Sequence, residues 1–367
     1  MEQLTAYIAD GLFTGESWLP GHAVIVRDGR ISSLLPAADL PADFPAVRFS
    51  DAIIAPAFID IQIYGAGERL FSAWPEPASL EKLVTHNRGG GTILCLPTIA
   101  TNSGDIYRMG IDAIRSYWDA GGKGVYGLHL EGPWINPVKR GAHVSGFICH
   151  PDPVEVAALL EYGRGVIRMV TLAPESCSDE VLEMIRAEGI VISAGHSDAS
   201  YAQAMDSFDK GIPAVTHLFN AMSPLQHRAP GLAGAAMDHG RVMASIIPDG
   251  VHVDFAAVRI AKAVMKERLF VITDAVTATD TGPYPHRAAG NKFESGGVLS
   301  GSALRMNAAV RNLVEQVHIS MDEALRMCSL YPARLLGKDG HAGKLREGYE
   351  ASLVVLNKNF DVLELVG

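Results

Sequence analysis

Eight short apolar segments, separated by segments with helical periodicity, constrain the fold of this chain more than any other feature. Repeated strand–helix units of this kind form a parallel sheet, and eight of them close into a barrel. We therefore predict an α/β fold, a (β/α)8 TIM-type barrel. The predicted strands lie near residues 54–61, 92–97, 125–131, 166–172, 190–195, 213–217, 243–248 and 269–273. The predicted helices cover 78–89, 103–120, 153–163, 178–188, 198–209 and 254–267, with a further helical stretch over 319–337 that is expected to break at Pro332.

The two ends of the chain are expected to form a second, smaller domain. Both ends alternate apolar and polar residues between Gly- and Asp-containing turns, which is typical of short strands. Neither end could make a core alone. We predict that residues 1–53 and 342–367 form a small β-sandwich, with a barrel domain over residues 54–341 inserted between them.

Four of the predicted strands end in residues that can bind a metal or carry a proton. They are Glu131, His196, His217 and Asp274. The carboxyl ends of barrel strands share one pocket, where barrel enzymes build their active sites. A glutamate and two histidines leave a coordination position open for water, and a neighbouring carboxylate suits metal-assisted hydrolysis. A capping glutamate or a core histidine would explain one of these residues, but not four at the same end of the barrel.

The first and fourth predicted strands lack the residues of a two-metal centre. Barrel metallohydrolases often carry H-x-H at the end of strand one, where this chain has Gln62 and Tyr64. Strand four ends without a lysine that could bridge two metals. We therefore expect one divalent ion per chain; Zn, Fe, Mn and Co all accept this ligand set, with zinc or iron expected first. Gln62, Tyr64 and His129, which lies two residues before Glu131, are predicted to support the ligands rather than bind the metal.

Composition narrows the class of partner. The 31 basic and 41 acidic residues give a net charge of −10, which argues against a general nucleic-acid binder. The N-terminal segment lacks the features of a signal peptide, and no 18-residue uncharged apolar run predicts a membrane span. The four cysteines are scattered without a C-x-x-C pair, so we expect a cytoplasmic protein.

Nine segments, in order through the chain, resemble the N-acetylglucosamine-6-phosphate deacetylases of the amidohydrolase superfamily. The resemblance covers essentially the whole chain. HLEGP followed by GAH, and THLFNAM followed by R-x-P-G, are far more specific than a generic metal motif. The segments are PAFIDIQIYG, HLEGPWINPVKRGAH, SAGHSDAS, VTHLFNAM, HRAPGLAG, DGVHVD, VITDA, LSGSALRM and LYPARLLG.

The resemblance implies a role for each residue of the reaction centre. Glu131, His196 and His217 would bind the divalent metal. Asp274 would act first as general base and then as general acid, and His143 would polarise the substrate carbonyl. One departure from the family's pattern is Tyr64, where many members have asparagine.

The resemblance also implies how the sugar phosphate is held. Asn220 and Ala221 would contact it by side chain and backbone, and Arg228 and His252 would bind the phosphate. In such enzymes the phosphate ligands can come from a dimer partner, so a homodimer is expected. Independently, an arginine in a Pro- and Gly-rich loop can clamp phosphate oxygens in a bidentate way.

The predicted reaction is hydrolysis of the acetamide of N-acetyl-D-glucosamine 6-phosphate to acetate and D-glucosamine 6-phosphate. The nearest alternative is the same reaction on N-acetylgalactosamine 6-phosphate, because the C4 epimer depends on pocket shape. A cyclic amidase or dipeptidase fits less well, since H-x-H and the bridging lysine are missing. A non-catalytic sugar-phosphate-binding protein would be expected to have lost Asp274 or a ligand. Sugar-phosphate isomerases fit a three-ligand metal set less naturally.

Overall fold

The computed structural model describes residues 4–290 and 292–367, and most of its regular structure is β-strand and α-helix in alternation. The strands are β1 (Leu4–Ile8), β2 (Gly11–Leu12), β3 (His22–Arg27), β4 (Arg30–Pro36), β5 (Ala46–Arg48), β6 (Ala52–Pro56), β7 (Phe58–Ile63), β8 (Gly65–Ala66), β9 (Arg69–Leu70), β10 (Thr92–Ala100), β11 (Leu128–Glu131), β12 (Ile167–Leu172), β13 (Val191–Ala194), β14 (Ala214–Val215), β15 (Met243–Ile246), β16 (Leu269–Val271), β17 (Arg287–Ala289), β18 (Lys292–Ser295), β19 (Val298–Ser302), β20 (Leu353–Asn357) and β21 (Val362–Val366).

The helices mostly follow the strands one by one along the chain. They are α1 (Pro77–Gly89), α2 (Gly104–Asp119), α3 (Pro153–Tyr162), α4 (Asp179–Ala187), α5 (Tyr201–Asp209), α6 (Gly231–Asp238), α7 (Phe255–Met265), α8 (Met306–Glu315), α9 (Met321–Cys328) and α10 (Leu330–Leu335). Short 3-10 helices lie at Ala37–Asp39, Pro137–Lys139, Ser145–Phe147, Pro174–Ser176 and Lys266–Arg268. Among the described residues, no helix combines the length and the apolar character needed to cross a membrane.

The chain divides into two compact units, of which the first joins both ends of the chain. It comprises residues 1–59, 87–93 and 305–367. Two four-stranded sheets, β4-β3-β1-β5 and β2-β6-β20-β21, contribute to one apolar core, and β20 pairs antiparallel with β6. This confirms the predicted small β-sandwich of N- and C-terminal segments. The unit also takes in residues 305–341, which the sequence analysis assigned to the barrel; the predicted domain boundaries remain a prediction.

The second unit, residues 60–86 and 94–304, carries the eight-stranded sheet β16-β15-β14-β13-β12-β11-β10-β7. The strand pairs from β10 to β16 are parallel, with helices between successive strands. The sheet closes where the backbone N–H of Asp274 donates to Gln62 O at 3.0 Å and that of Tyr64 donates to Ala275 O at 2.9 Å. The predicted (β/α)8 barrel is therefore confirmed. Every residue of β7, β11 and β15 is buried, including the polar side chains of Asp60, Gln62, His129 and Glu131.

Two predicted elements differ from the structure in their boundaries. The expected first strand at 54–61 spans parts of two strands, β6 and β7. The break in the helical stretch at 319–337 falls at Ser329, between α9 and α10, and not at Pro332. Pro332 lies in the first turn of α10, where a backbone N–H has no intrahelical acceptor and a proline is tolerated.

Two helices and one sheet are the largest of the elements that were not predicted. Helix α6 begins in the GLAG segment that the sequence analysis treated as loop, and α8 follows the barrel. The antiparallel three-stranded sheet β17-β18-β19 comes after the last barrel strand. Its last strand continues beside that barrel strand, since Val276 N donates to Ser302 O at 3.0 Å and Ser302 N donates to Asp274 O at 2.8 Å. This sheet therefore stands at the carboxyl edge of the barrel.

Candidate metal centre and catalytic site

The four strand-end residues meet in one cavity at the carboxyl edge of the barrel. Glu131 is the last residue of β11, His196 and His217 each lie two residues beyond β13 and β14, and Asp274 lies three residues beyond β16. All four are buried and all four line a cavity of about 240 Å³. The barrel thus brings together the residues that the sequence analysis had placed at separate strand ends.

The backbone turns sharply at three of these residues. His196, His217 and Asp274 have φ angles of 48°, 35° and 54°, in the left-handed region. Residues other than glycine rarely adopt this conformation, and each instance costs about 1–3 kcal/mol. Such strain persists where the surrounding structure enforces it, and it clusters at functional sites. Here it occurs at the residues that line the cavity.

The ligand atoms of the glutamate and two histidines are spaced as a single cation requires. Glu131 Oε1 lies 3.3 Å from His196 Nε2 and 3.1 Å from His217 Nε2. The two Nε2 atoms are 3.1 Å apart. Tetrahedral coordination with bonds near 2.1 Å separates neighbouring ligand atoms by about 3.4 Å. His196 Nδ1 donates to Lys139 O at 2.9 Å, so the lone pair of its Nε2 faces the cluster. The donor set therefore fits a divalent metal ion.

His143 lies beside this cluster, and Thr101 holds its ring through contacts with Nδ1, on the side away from Glu131. Its Nε2 is 3.1 Å from Glu131 Oε2, and the two residues together with His196 also satisfy the spacing of a metal cluster. The backbone N–H of Thr101 donates to Nδ1 at 3.3 Å, and the Thr101 hydroxyl lies 2.7 Å from the same nitrogen. Because burial and the nearby His196 lower the pKa of His143 to about 4, the ring is neutral. Its Nε2 therefore carries the hydrogen on the side of the cavity.

Gln62 and Tyr64, at the positions of an H-x-H motif, hydrogen-bond to the two carboxylates. The Gln62 amide donates to Glu131 Oε1 and to Asp274 Oδ1, at 2.9 Å each. The Tyr64 hydroxyl donates to Glu131 Oε2. Both side chains are buried. They hold the carboxylates in place, and neither side chain has a histidine nitrogen that could bind a second metal ion.

The two carboxyl groups have opposite pKa shifts. Burial raises the pKa of Asp274 well above its usual value, and the negative charges of Glu131 and Asp60 raise it further. Burial also acts to raise the pKa of Glu131, but the neighbouring His196 and hydrogen bonds from three histidines bring it well below its usual value. Pairs of titratable groups driven apart in this way are typical of sites where one group binds and the other moves a proton.

Asp60 is a buried carboxyl group that the sequence analysis missed. It is fully buried, and it accepts hydrogen bonds from the Thr273 hydroxyl, from Thr273 N at 3.2 Å and from Gln62 N at 3.3 Å. Burial raises its pKa to about 6 despite these hydrogen bonds. Asp60 thus ties the first barrel strand to the last one, immediately before Asp274.

His129 lies deeper in the barrel than Glu131. Its Nδ1 donates to Ile61 O at 2.9 Å and its Nε2 lies 2.8 Å from Thr171 Oγ1. The Thr171 hydroxyl in turn lies 2.7 Å from that of Thr216. Burial lowers the pKa of His129 to about 4, so it is a neutral histidine with both nitrogens partnered inside the barrel.

The residues expected to hold the sugar phosphate fall into two groups. Asn220, Ala221 and His252 line the cavity. His252 Nδ1 lies 2.7 Å from Asp249 Oδ2, which orients the ring, and no described residue hydrogen-bonds to its Nε2. Arg228 is exposed and is not among the residues that line the cavity. Within one chain, the structure therefore brings three of these four residues together.

Several further cavity residues come from segments without a recognisable motif. Tyr284, His286, Leu299 and Ser300 line the cavity from the β17–β19 sheet and the loop before it. The Tyr284 hydroxyl donates to Thr101 O and accepts from Val144 N at 3.3 Å. It thereby connects the segment after β10 to the loop that carries His143. The segment LSGSALRM, one of the nine that resemble the family, was the one sequence signal here.

Models of known protein families match nearly the whole chain. The model of the amidohydrolase family matches residues 53–366, and that of the NagA composite domain matches residues 9–54.

Individual relatives match over almost their full lengths. The chain is 33% identical to an N-acetylgalactosamine-6-phosphate deacetylase of Escherichia coli O157:H7, over 96% of this chain and 95% of that protein. It is 31% identical to an N-acetylglucosamine-6-phosphate deacetylase of Haemophilus influenzae, over 97% and 96%. The crystal structure of N-acetylglucosamine-6-phosphate deacetylase from Pasteurella multocida superposes with a TM-score of 0.95 at 32% identity, covering 100% of this chain and 99% of that one.

Proposed function

We propose that this chain, which belongs to the amidohydrolase family, hydrolyses the acetamide of N-acetyl-D-glucosamine 6-phosphate to acetate and D-glucosamine 6-phosphate. The observation that carries the proposal is the assembly of Glu131, His196, His217, His143 and Asp274 around one cavity. The match to an N-acetylglucosamine-6-phosphate deacetylase over 97% of the chain supports the substrate.

The proposed cofactor is one divalent ion per chain, held by Glu131, His196 and His217. The spacing of their ligand atoms supports this set, and the placement of Gln62 and Tyr64 as hydrogen-bond donors supports a single ion. Zinc or iron is proposed first, with manganese and cobalt as alternatives, because all four accept these ligands. When bound, the ion would supply Lewis acidity toward a carbonyl oxygen and activation of a water nucleophile.

Asp274 carries the proton in both directions. Its buried position beside the charge of Glu131 raises its pKa, which makes the carboxylate a better base than an exposed aspartate. It takes a proton from the attacking water and returns it to the amide nitrogen, which leaves poorly without that proton.

His143 acts on the other side of the scissile bond. Its Nε2–H, fixed by the contacts of Nδ1 with Thr101, donates to the acetamide oxygen as negative charge develops there. Because the ring is neutral and its Nδ1 accepts from Thr101 N, its single N–H lies on Nε2 and is the donor toward the substrate.

The phosphate is proposed to lie near His252, with Asn220 and Ala221 along the sugar. Arg228, exposed on its own chain, is proposed to reach the phosphate of a second copy, so that the active form is a homodimer with two-fold symmetry. A guanidinium group can bind two phosphate oxygens at once, and a phosphate remote from the reacting bond orients the acetamide.

The proposed location is the cytoplasm, and the proposed partners are small phosphorylated sugars. No disulfide joins the four cysteines, all of which lie in the described part of the chain, as is typical of a reducing compartment. The net charge of −10 disfavours nucleic acid as a ligand.

A second candidate substrate is the C4 epimer, N-acetylgalactosamine 6-phosphate. The observation that favours it is the 33% identity to an E. coli deacetylase of that name. Both sugars carry the same acetamide and the same phosphate, so the catalytic residues serve either one. The choice depends on the cavity wall around the sugar ring.

The decisive experiment measures acetate release from both epimers by purified protein of known metal content. We expect about one divalent ion per chain and faster release from the glucosamine epimer. His196→Ala should lose the metal, whereas His227→Ala, at an exposed position, should keep it. Metal-loaded protein that releases no acetate from either sugar would refute the function. Faster release from the galactosamine epimer would establish the second candidate instead.

A further inference from the structure

A serine–histidine pair forms part of the cavity wall, and the proposed chemistry gives it no role. Ser300 belongs to β19, and His286 precedes β17. Both residues line the same cavity as the strand-end residues. His286 is 5% exposed, so its ring is a built-in part of the wall rather than a surface side chain.

The positions of the hydrogens on His286 and Ser300 can be assigned from their hydrogen-bonding partners. His286 Nδ1 lies 2.9 Å from the carbonyl oxygen of Tyr284, and a carbonyl only accepts, so Nδ1 carries the hydrogen. Burial lowers the pKa of His286, which keeps the ring neutral and leaves a lone pair on Nε2. The Ser300 hydroxyl, 2.9 Å from Nε2, therefore donates its hydrogen to His286.

In this arrangement Ser300 Oγ can only accept a hydrogen bond from a ligand. Among the described residues, His286 is the only hydrogen-bond partner of this hydroxyl. With its hydrogen committed, the oxygen presents lone pairs and accepts from a donor such as a sugar hydroxyl. A phosphate oxygen, which has no hydrogen to donate at neutral pH, is disfavoured at this position. The wall at Ser300 thus suits the sugar ring and not its phosphate.

Building on the proposed sugar-phosphate deacetylase function, we propose that Ser300, held by His286, accepts a hydrogen bond from one ring hydroxyl of the substrate and determines specificity at that carbon. A sugar that lacks this hydroxyl, or carries it with the opposite configuration, leaves the Ser300 oxygen without its donor. A site built to pair a substrate hydroxyl discriminates against an analogue that lacks it, because its own polar group is then left unpaired.

The test is a cycle that combines substrate analogues with variants. Wild type and Ser300→Ala are assayed with N-acetylglucosamine 6-phosphate, its C4 epimer, and analogues that lack the hydroxyl at C1, C3 or C4. In the wild type, kcat/KM should fall about tenfold for the one analogue that lacks the recognised hydroxyl. In Ser300→Ala the complete sugar should fall by a similar factor, and removal of that same hydroxyl should then cost nothing further.

Two more variants separate recognition from structure. His286→Asn keeps an N–H in place for the Tyr284 carbonyl but removes the acceptor for Ser300, so it should reduce the same discrimination. Ser295→Ala, on the neighbouring strand β18, is the matched control and should retain the wild-type pattern.

The outcomes distinguish this inference from the function on which it rests. If Ser300→Ala keeps every wild-type penalty for a missing hydroxyl, the inference is wrong, however large the overall loss of activity. If the wild type turns over none of these sugar phosphates, the proposed function fails and the inference fails with it.

Discussion

At the scale of single residues, the two carboxylates of the site differ in what surrounds them. Glu131 has three histidine nitrogens and two further donors, Gln62 and Tyr64, within hydrogen-bonding distance or nearly so. Asp274 receives a hydrogen bond from Gln62 and faces the charge of Glu131. One carboxylate is therefore stabilised as an anion that binds a cation, and the other is left able to take a proton.

Asp274→Asn should abolish turnover without removing the metal. Asparagine keeps the size and a hydrogen-bonding oxygen but cannot accept a proton, so kcat should fall by about three decades or more. Metal analysis and binding of the sugar phosphate to the variant serve as controls. Activity within tenfold of wild type would show that another group, such as His143, carries the proton.

Thr101→Val should lower kcat by about tenfold while leaving KM nearly unchanged. Valine matches the shape of threonine but removes the hydroxyl 2.7 Å from His143 Nδ1, so the ring is less well oriented. Thr101→Ser restores the hydroxyl and should recover most of the rate. Equal losses in the serine and valine variants would indicate a packing role for Thr101.

At the scale of elements, the repeated strand–helix units of the barrel could be predicted from the sequence, whereas helix α6 and the β17–β19 sheet could not. Most residues of the barrel strands are buried and the strands appear as apolar runs, so the strand ends, and hence Glu131, His196, His217 and Asp274, could be predicted from the sequence pattern. His143 lies in a loop and was predicted only from the family resemblance. Helix α6 was missed because its two glycines are typical of a loop. Seven of its eight residues are buried, so packing stabilises the helix despite these glycines. The β17–β19 sheet, which carries Ser300, has partly exposed strands without a regular apolar pattern.

Asp60 makes the barrel seam sensitive to pH. Its folded-state pKa of about 6 lies above the ordinary value of 3.8, so the folded protein binds this proton more tightly than the unfolded chain. The stabilisation is therefore complete below pH 3.8 and is lost as the pH rises through about 6. Relative to Asp60→Asn, the wild-type free energy of unfolding should rise by up to about 3 kcal/mol as the pH falls from 7 to 4.

Denaturant unfolding of both proteins at several pH values measures this difference. Each protein is compared with the other at the same pH, so titrations common to both cancel. A difference that is constant between pH 7 and pH 4 would show that Asp60 does not titrate in this range.

The loop before α6 supplies the phosphate ligand in our proposal, and Arg228→Ala tests it. Charge-assisted hydrogen bonds contribute about 1.5–3 kcal/mol, so kcat/KM for the phosphorylated sugar should fall about ten- to hundredfold. The rate with unphosphorylated N-acetylglucosamine should barely change. His227→Ala, at the adjacent exposed position, is the control. Equal losses on both sugars would instead assign the arginine a structural role.

At the scale of the whole molecule, the exposed position of Arg228 predicts that two variants with impaired activity complement each other. In a two-fold dimer, a mixed pair of Arg228→Ala and Asp274→Asn contains one site with both residues intact. After unfolding and refolding together, such a mixture should recover about one quarter of the wild-type activity, because half of the dimers are mixed and each has one complete site.

Light scattering under the assay conditions measures the assembly directly. Each variant refolded alone is the control: Asp274→Asn should stay inactive, and Arg228→Ala should keep only about one tenth to one hundredth of the wild-type activity on the phosphorylated sugar. A fully active monomer, or a mixture that never exceeds the separate variants, would place the phosphate contact within one chain.

Because the backbone at His196, His217 and Asp274 is left-handed, substitutions there that raise thermal stability would lower catalytic activity. Glycine adopts these φ angles without steric cost, so a selection for thermal stability would favour glycine at these three positions, where the substitution removes a metal ligand or the proton carrier. Directed evolution of this chain would therefore have to score acetate release in every round, since survival of heating alone rewards the loss of the site.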